Sequence, residues 1–255
     1  MENLSSVWQS DATRAIVRPI ALEDVDQVMG VLSNAAFSNI LPAVRVTFRG
    51  RGFRVLASAI TFVVYTVFGS ILSAVLCFML IVGLVWLFNL LVAVFYSYGP
   101  PLQDMRDVKS NYMTDPRTRF WVVEVRGEEG EESDIAACVA IVSELPKSHK
   151  KSKKVEDTGK VSYLRRMAVQ TEYRGCGFAK MLVQTAIDFC HKNQYDSIDL
   201  ITTDIHSAAR QLYTRMGFKC LGLKLYKYYW GIIRIWTYEY TYDLKKYKNS
   251  TVETK

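Results

Sequence analysis

Residues Val161–Ala179 read VSYLRRMAVQTEYRGCGFA, and this stretch decides the fold. Its first part, Val161–Val169, predicts a strand. Gly175 and Gly177 follow, immediately before an amphipathic pattern over Phe178–Lys192 that predicts a helix. Glycines let backbone N–H groups approach a ligand closely, and the N-terminus of a helix favours an anionic group. The stretch therefore predicts a strand, a phosphate-binding turn and a helix in succession, with a simple tight turn as the alternative.

A second motif lies further along the chain, where Ala209–Phe218 reads ARQLYTRMGF. The pattern predicts a helix over Ser207–Met216 that ends at Gly217 and leads back into a strand. Another strand is predicted before it, over Ser197–Thr203. The earlier glycine turn is not a Walker loop, because no Gly-Lys-Ser/Thr follows it, and its spacing differs from that of a Rossmann fingerprint.

Together the two motifs resemble those of the GNAT acetyltransferase superfamily, (Gln/Arg)-x-x-Gly-x-(Gly/Ala) after the fourth strand and A-x-x-L-Y-x-x-x-G-F one strand–helix unit later. The resemblance covers residues 14–20 and 120–244. It implies an α/β (α+β) GNAT fold, with a mixed central sheet of about seven strands flanked by helices. The RGxGxAK and LYxxMGF patterns, with a hydrophobic insertion before the second strand, resemble the camello-like branch. That branch includes cysteine-S-conjugate N-acetyltransferases and N-acetylaspartate synthases of the endoplasmic reticulum.

Strand and helix patterns alternate through the rest of the polar sequence. Pro146–Gly159 is rich in lysine and predicts a solvated loop, with contact to anionic lipid as the alternative. The other predicted elements are strands at Arg14–Ile20, Phe120–Arg126, Ile135–Leu145, Lys219–Tyr228 and Ile232–Leu244, a helix at Ala21–Phe37 and a hairpin loop at Gly127–Asp134.

The run Val55–Gln103 contains no Asp, Glu, Lys, Arg or His. As one helix it would be roughly 74 Å long, whereas a bilayer core needs only about 20 helical residues. We therefore predict two passes, near 55–75 and 78–98, with the turn near Leu76–Met79. No polar or Gly-Pro break marks that turn, so a hairpin that dips into the bilayer and returns is an alternative. A buried soluble helix pair is a third, although the run has no polar face.

Arginines flank the apolar run on both sides, and the positive-inside rule places both of its ends in the cytosol. With the resemblance, this predicts an integral membrane protein of the endoplasmic reticulum whose catalytic domain faces the cytosol. The predicted organisation is 1–54 for the first strand and helix plus a basic juxtamembrane segment, 55–103 for the membrane hairpin, 104–244 for the acetyltransferase core and 245–255 for a polar tail.

Composition limits the function classes. Half of the residues are hydrophobic, which excludes a disordered chain, and the net charge of +7 favours acidic partners such as phosphates or a membrane surface. The five cysteines are scattered with no CxxC pair and predict reduced thiols. The three histidines form no HExxH motif, so we predict no metal. Nucleic acid is not an expected partner, because no aromatic residue interleaves Lys147–Lys154.

The resemblance implies where the cosubstrate acetyl-CoA binds. Main-chain groups of Met167 and Val169 would pair with the pantetheine arm like an added strand. Glu172 stands where the family usually has Gln or Arg, and we expect its carboxylate to face solvent, because it would repel a pyrophosphate. His206 replaces the usual Asn at the head of the later helix. The pyrophosphate would lie against Arg174, Gly175, Cys176, Gly177, Phe178 and Ala179.

The chemistry follows from the thioester. A neutral amine can attack it directly when the two are held close and aligned. The backbone N–H of Val169 is the candidate donor to the developing oxyanion. Tyr213 is the candidate general acid, because a phenol of pKa near 10 can protonate a departing thiolate whose thiol has a pKa of roughly 8.5. The alternative is that Tyr213 only packs in the core as an aromatic side chain. Cys176, between two glycines, is predicted to be incidental rather than a nucleophile.

A general base is not assigned. Many relatives carry a glutamate on the fourth strand, and Tyr163 occupies that place here. Glu144, Asp204 and His206 are expected near the open end of the sheet, where they could act through water. An amine of low pKa needs none of them.

The leading hypothesis is a membrane-anchored, acetyl-CoA-dependent N-acetyltransferase that acts on a small-molecule amine or amino-acid derivative, for example a cysteine conjugate. Its expected partners are acetyl-CoA, that amine and membrane lipid. A protein lysine or N-terminal acetyltransferase is the first alternative. A catalytically silent CoA-binding membrane scaffold is the second, because the strand-four carboxylate is missing.

Overall fold

The computed structural model of the chain describes residues 7–10, 13–126, 133–144, 160–228 and 233–245. Three predicted features therefore lie wholly or almost wholly outside the described residues. These are the loop predicted at 127–134, of which 127–132 lie outside, the lysine-rich segment at 146–159, and the polar tail predicted at 245–255, of which only Lys245 is described.

One mixed sheet of eight strands forms the centre of the described chain, which confirms the predicted fold class. The strand order is β1-β2-β3-β4-β5-β6-β8-β7, and all neighbours are antiparallel except β5 and β6. The short edge strand β1 was not predicted, and it accounts for the eighth strand. The strands are β1 (Val7–Ser10), β2 (Thr13–Pro19), β3 (Arg119–Arg126), β4 (Asp134–Val142), β5 (Val161–Val169), β6 (Ser197–Thr203), β7 (Lys219–Tyr228) and β8 (Ile233–Asp243).

Six α-helices accompany the sheet in the described residues. A 3-10 turn (Leu22–Asp24) precedes the first, and a 3-10 helix (Pro100–Asp107) and a π-helical turn (Lys109–Met113) follow the fourth. The helix α2, in the segment predicted only as basic and juxtamembrane, was not foreseen. The helices are α1 (Val25–Ser38), α2 (Ile40–Arg49), α3 (Arg51–Phe68), α4 (Ile71–Tyr98), α5 (Phe178–Lys192) and α6 (Ser207–Arg215).

Each face of the sheet has its own apolar core. On one face α5 buries Leu182, Val183 and Ala186 completely, as its amphipathic pattern predicts. On the other face α1 and the 3-10 helix after α4 pack Val28 and Met105 against the sheet. The base of the α3–α4 hairpin is therefore built into the second core.

The hairpin turns earlier than predicted. α3 ends at Phe68, its C-cap Gly69 has a left-handed φ of +63°, and α4 begins at Ile71, so the turn predicted near Leu76–Met79 is wrong. A left-handed residue closes a helix at little cost only when it is glycine, and that requirement outweighed the equal division of the apolar run. The first helix also starts at Arg51 rather than after residue 54.

Both hairpin helices are long and apolar enough to cross a membrane. Large apolar side chains such as Ile71, Leu80 and Phe95 are more than half exposed, and the most apolar window of α4 has no buried residue. This exposure disagrees with the alternative of a buried soluble helix pair.

Candidate active site

A wedge opens between β5 and β6. The two strands pair only at Val161–Tyr163 with Ser197–Asp199, although β5 continues to Val169 and β6 to Thr203. Beyond Tyr163 the two backbones therefore diverge. The outer half of β5 keeps its antiparallel partner β4 on one side, and on the other side no strand from the described part of the chain pairs with it.

The outer half of β5 presents main-chain groups to this wedge. The N–H of Gln170 donates to the carbonyl of Ala136 at 2.9 Å, so it points toward β4. Because successive residues of a strand direct their N–H groups to opposite sides, the N–H of Val169 points away from β4, into the wedge. Met167, two residues earlier, shares that direction. These are the two residues predicted to pair with the pantetheine arm.

The glycine turn follows directly. Gly175 has a φ of +91° and Gly177 a φ of +83°, both left-handed, and Gly177 is the N-cap of α5. A Cβ built on either glycine would meet no atom within 4 Å. Glycine is therefore required here for its backbone conformation, and the space beside it is open. The first N–H groups of α5 begin beside this open space, and such groups have no intrahelical partner.

The turn is braced against α1, a support that the sequence patterns did not show. Arg174 donates from Nη2 to the hydroxyl of Ser38 at 2.6 Å and from Nε to the carbonyl of Val169 at 3.4 Å. Thr171 donates from its hydroxyl to Asn34 at 2.7 Å. Glu172 and Cys176 are exposed, as expected for Glu172.

Tyr213 lies in the core on the α5 face, in the same cluster as Met167 and Val169. It is 4% exposed, and its ring centroid is 5.6 Å from that of Phe218 and 6.2 Å from that of Tyr240. Burial alone raises the pKa of its phenol. Tyr213 therefore stays protonated at neutral pH, the form that a proton donor needs.

The three candidate bases do not lie together. β4 runs antiparallel to β5 and pairs Val142 with Tyr163, so Glu144 lies beyond the closed end of the wedge. The expectation that Glu144 lies near the open end is wrong, because strand direction places it at the opposite end of the sheet. Asp204 and His206 follow β6 at the open end, as expected.

The Asp204–His206 turn carries polar groups at the mouth of the wedge. The Nδ1 atom of His206 lies 3.1 Å from the hydroxyl of Thr203, and the Oδ1 atom of Asp204 is buried without a hydrogen-bond partner. His206 is exposed as a residue. Desolvation of its ring nevertheless lowers the pKa of His206, and the nearby charge of Asp204, which would raise that pKa, only partly offsets this effect. The ring is therefore neutral at pH 7.

The diverging parallel strand pair and the glycine turn at the start of α5 have the arrangement that the two sequence motifs predict for an acetyltransferase. The chain belongs to the acetyltransferase (GNAT) family, whose model matches residues 87–218, just over half of the 255 residues. The predictions of family, fold and enzyme class are confirmed, because the family model describes acetyltransferases and the relatives carry N-acetyltransferase names.

The chain is similar to N-acetylaspartate synthetase of Xenopus tropicalis, with 36% identity over 120 residues, 47% of this chain and 38% of that protein. The match therefore spans well under half the length of that relative. It is also similar to N-acetyltransferase 8 of Rattus norvegicus, with 26% identity over 215 residues, 81% of this chain and 86% of that protein. These relatives agree with the camello-like branch indicated by the motifs.

Among solved structures, the crystal structure of smu.2055 from Streptococcus mutans UA159 matches with a TM-score of 0.51 and 13% identity. The match covers 89% of this chain and 98% of that chain. At this identity the likeness shows the fold alone.

Proposed function

We propose that the protein is a membrane-anchored N-acetyltransferase that transfers acetyl from acetyl-CoA to the amine of a small molecule or amino-acid derivative, such as a cysteine conjugate. The wedge between β5 and β6 is the observation that carries the proposal. It ends at the glycine turn before α5, and Tyr213 packs in the cluster that holds Met167 and Val169.

The wedge suits the two halves of the cosubstrate. The N–H groups of Met167 and Val169 face away from β4, toward the amide-containing pantetheine arm, while the carbonyl of Val169 accepts a hydrogen bond from Arg174. The pyrophosphate then meets the open side of Gly175 and Gly177 and the unpaired N–H groups at the start of α5. Its binding residues in this proposal are Met167, Val169, Arg174, Gly175, Cys176, Gly177, Phe178 and Ala179.

The catalytic step needs an oxyanion donor and a proton donor. The N–H of Val169 points into the wedge and serves as the oxyanion donor. Tyr213 donates its phenol proton to the departing thiolate, since the phenol is protonated at neutral pH. His206, neutral and at the mouth of the wedge, is better placed than Glu144 to take the amine proton.

The hairpin supplies the membrane anchor. α3 and α4 expose their apolar side chains, and the arginines before α3 lie close to its start. A hairpin that crosses twice leaves both flanks on one side, which the flanking positive charge favours as the cytosol. The endoplasmic reticulum remains the proposed membrane, on the resemblance to the camello-like branch.

The experiment is an acetyl-transfer assay on the full chain in detergent or proteoliposomes. Radiolabelled acetyl-CoA is offered with amino acids, cysteine conjugates and lysine or N-terminal peptides. We expect a small carboxylated amine to be acetylated in preference to any peptide. Preference for peptides would favour the protein acetyltransferase alternative.

Tyr213→Phe tests the acid role, with Tyr240→Phe as the matched control because both rings lie in the same cluster. Loss of a general acid lowers kcat by about 10²-fold, since such catalysis contributes about 10²–10⁴-fold. CoA affinity, measured by calorimetry, should change little in either variant. Equal kcat in the two variants would remove Tyr213 from the mechanism.

A further inference from the structure

A buried arginine connects the base of the membrane hairpin to the outer half of β5. Arg166 has a φ of +54°, one of two positive values among the described non-glycine residues, and its side chain is only 6% exposed. Its hydrogen-bond partners come from the end of α4 and the 3-10 helix that follows it. Nothing in the catalytic proposal uses this residue.

The backbone at Arg166 is a β-bulge. β4 and β5 pair Cys138 with Ala168 and Ala140 with Arg165, so two residues of β5 stand opposite one residue of β4. The bulge shifts by one residue which side chains of β5 face each side of the sheet. The core on the α5 side therefore contains Leu164 before the bulge and both Met167 and Val169 after it. The bulge thereby sets which N–H groups of outer β5 point into the wedge.

All three nitrogens of the Arg166 guanidinium bond to the hairpin base. Nε donates to Oδ2 of Asp104 at 3.0 Å, and Nη2 donates to Oδ1 of Asp104 and to the carbonyl of Pro101, the latter at 2.5 Å. Nη1 lies 3.3 Å from the hydroxyl of Tyr96 in α4. Tyr112 donates a further hydrogen bond to Asp104. Burial opposes the charge, but the Asp104 carboxylate offsets this and raises the pKa of Arg166.

A left-handed backbone in a non-glycine residue needs its surroundings to hold it. Here the Asp104 pair holds the side chain, and the thiol of Cys138 donates to the Arg166 carbonyl at 3.2 Å. The side-chain restraint comes from the segment that carries the exposed apolar helix α4. The shape of outer β5 and the seating of the hairpin base therefore depend on the same contact.

We propose that Arg166 is a positioning residue, whose ion pair with Asp104 holds the β5 bulge so that the N–H groups of Met167 and Val169 face the thioester. Through this ion pair the hairpin base supports the active site. The inference rests on the proposed function of these amides. The ion pair is expected to affect the alignment of the thioester, and so the rate of transfer, more than the affinity for the cosubstrate. The cosubstrate has further contacts at the glycine turn.

Asp104→Asn is the test, with Asp107→Asn as the matched control, because Asp107 is an exposed acid on the same 3-10 helix. Misplacement of reacting groups by about 1 Å can cost 10²-fold in rate. We expect Asp104→Asn to lower kcat about 10- to 100-fold, with the Kd for CoA within about threefold of that of the unaltered protein. Asp107→Asn should stay within about twofold in both quantities.

Amide hydrogen exchange gives a readout independent of turnover. In the absence of CoA, Asp104→Asn should speed exchange in peptides covering 164–170 while peptides from α5 stay protected, which also shows that the variant is folded. The double variant Asp104→Leu with Arg166→Met removes both charges, so it should recover thermal stability but not kcat.

Two outcomes would overturn the proposal. One is unchanged kcat per folded molecule and unchanged exchange in Asp104→Asn, which would make the pair a purely structural contact. The other is full recovery of kcat in the double variant. Failure of the unaltered protein to acetylate any amine would instead refute the proposed function, and the exchange experiment would still report on the bulge.

Discussion

Two helices of this protein are rich in the same apolar residues and have opposite surroundings. In α5, Leu182, Val183 and Ala186 are fully buried, while Gln184 and Asp188 on the other side are exposed. In α4, leucines such as Leu80 and Leu84 are more than half exposed, and no polar side is present. The residue type therefore does not decide burial. A polar stripe accompanies the buried leucines of α5, and such a stripe is missing beside the exposed leucines of α4.

The largest expected effect comes from placing arginine in each helix. Leu182→Arg buries an unpaired charge, which costs several kcal/mol, a large part of a typical stability of about 5–15 kcal/mol. We expect this variant to lose its folded domain, measured by thermal unfolding and CoA binding in detergent.

Leu80→Arg changes the same residue type in the hairpin. It should leave thermal unfolding of the domain unchanged in detergent and weaken membrane insertion by about 2.5–3.5 kcal/mol. Carbonate extraction of membranes measures this as a shift toward the soluble fraction. If Leu80→Arg instead unfolds the domain and stays in the pellet, the distinction between the two helices is wrong.

A smaller effect is expected from replacing one glycine in each region with alanine. Gly177 has a left-handed φ of +83°, so alanine there is strained by about 1–2 kcal/mol, or roughly tenfold in CoA affinity. Gly83 lies within α4, and a Cβ there would meet no atom within 4 Å. Calorimetry should show weaker CoA binding for Gly177→Ala and none of this loss for Gly83→Ala. Equal affinities would mean that the turn does not hold the pyrophosphate.

The smallest expected effect is the loss, at low pH, of the stability contributed by an ion-pair network in the sheet domain. Arg18 bonds to Asp24 and Glu124 in the sheet domain, whereas Val55–Gln103 holds no ionisable Asp, Glu, Lys, Arg or His. Burial raises the pKa of Asp24, but its bonds to Arg18 and to the Ala21 amide outweigh this and lower it below 3.8. The bond to Arg18 likewise lowers the pKa of Glu124 below 4.5.

Because both carboxyl pKa values are depressed, this network stabilises the fold above these ordinary values, and the contribution falls as the pH drops through the folded values. Arg18→Met should cost about 1 kcal/mol at pH 7 and progressively less below about pH 4. Denaturant unfolding at several pH values measures the difference, while the helicity of α3 and α4 should not follow it. A pH-independent difference between the two proteins would show that packing of Arg18, not its charge, matters.

Much of the fold was predictable because local patterns and tertiary packing agree. β5, α5, β6 and β7 have the predicted bounds, since strand alternation, the helical stripe and the glycine stops all point to the same elements. The hairpin turn was misplaced because dividing an apolar run equally ignores the left-handed position that only glycine fills cheaply. Glu144 was misplaced because its position depends on the direction of β4, a property of the whole sheet.

By itself the sequence determined the strand–turn–helix motif, the second motif with Tyr213 and the uncharged hairpin, because each depends on neighbours in the chain. Only the tertiary structure decided three further features: the divergence of β5 from β6, the bracing of Arg174 by Ser38, and the Arg166–Asp104 pair at the hairpin base. These join residues far apart in the sequence. Their contacts arise from strand order and packing, which no local pattern encodes.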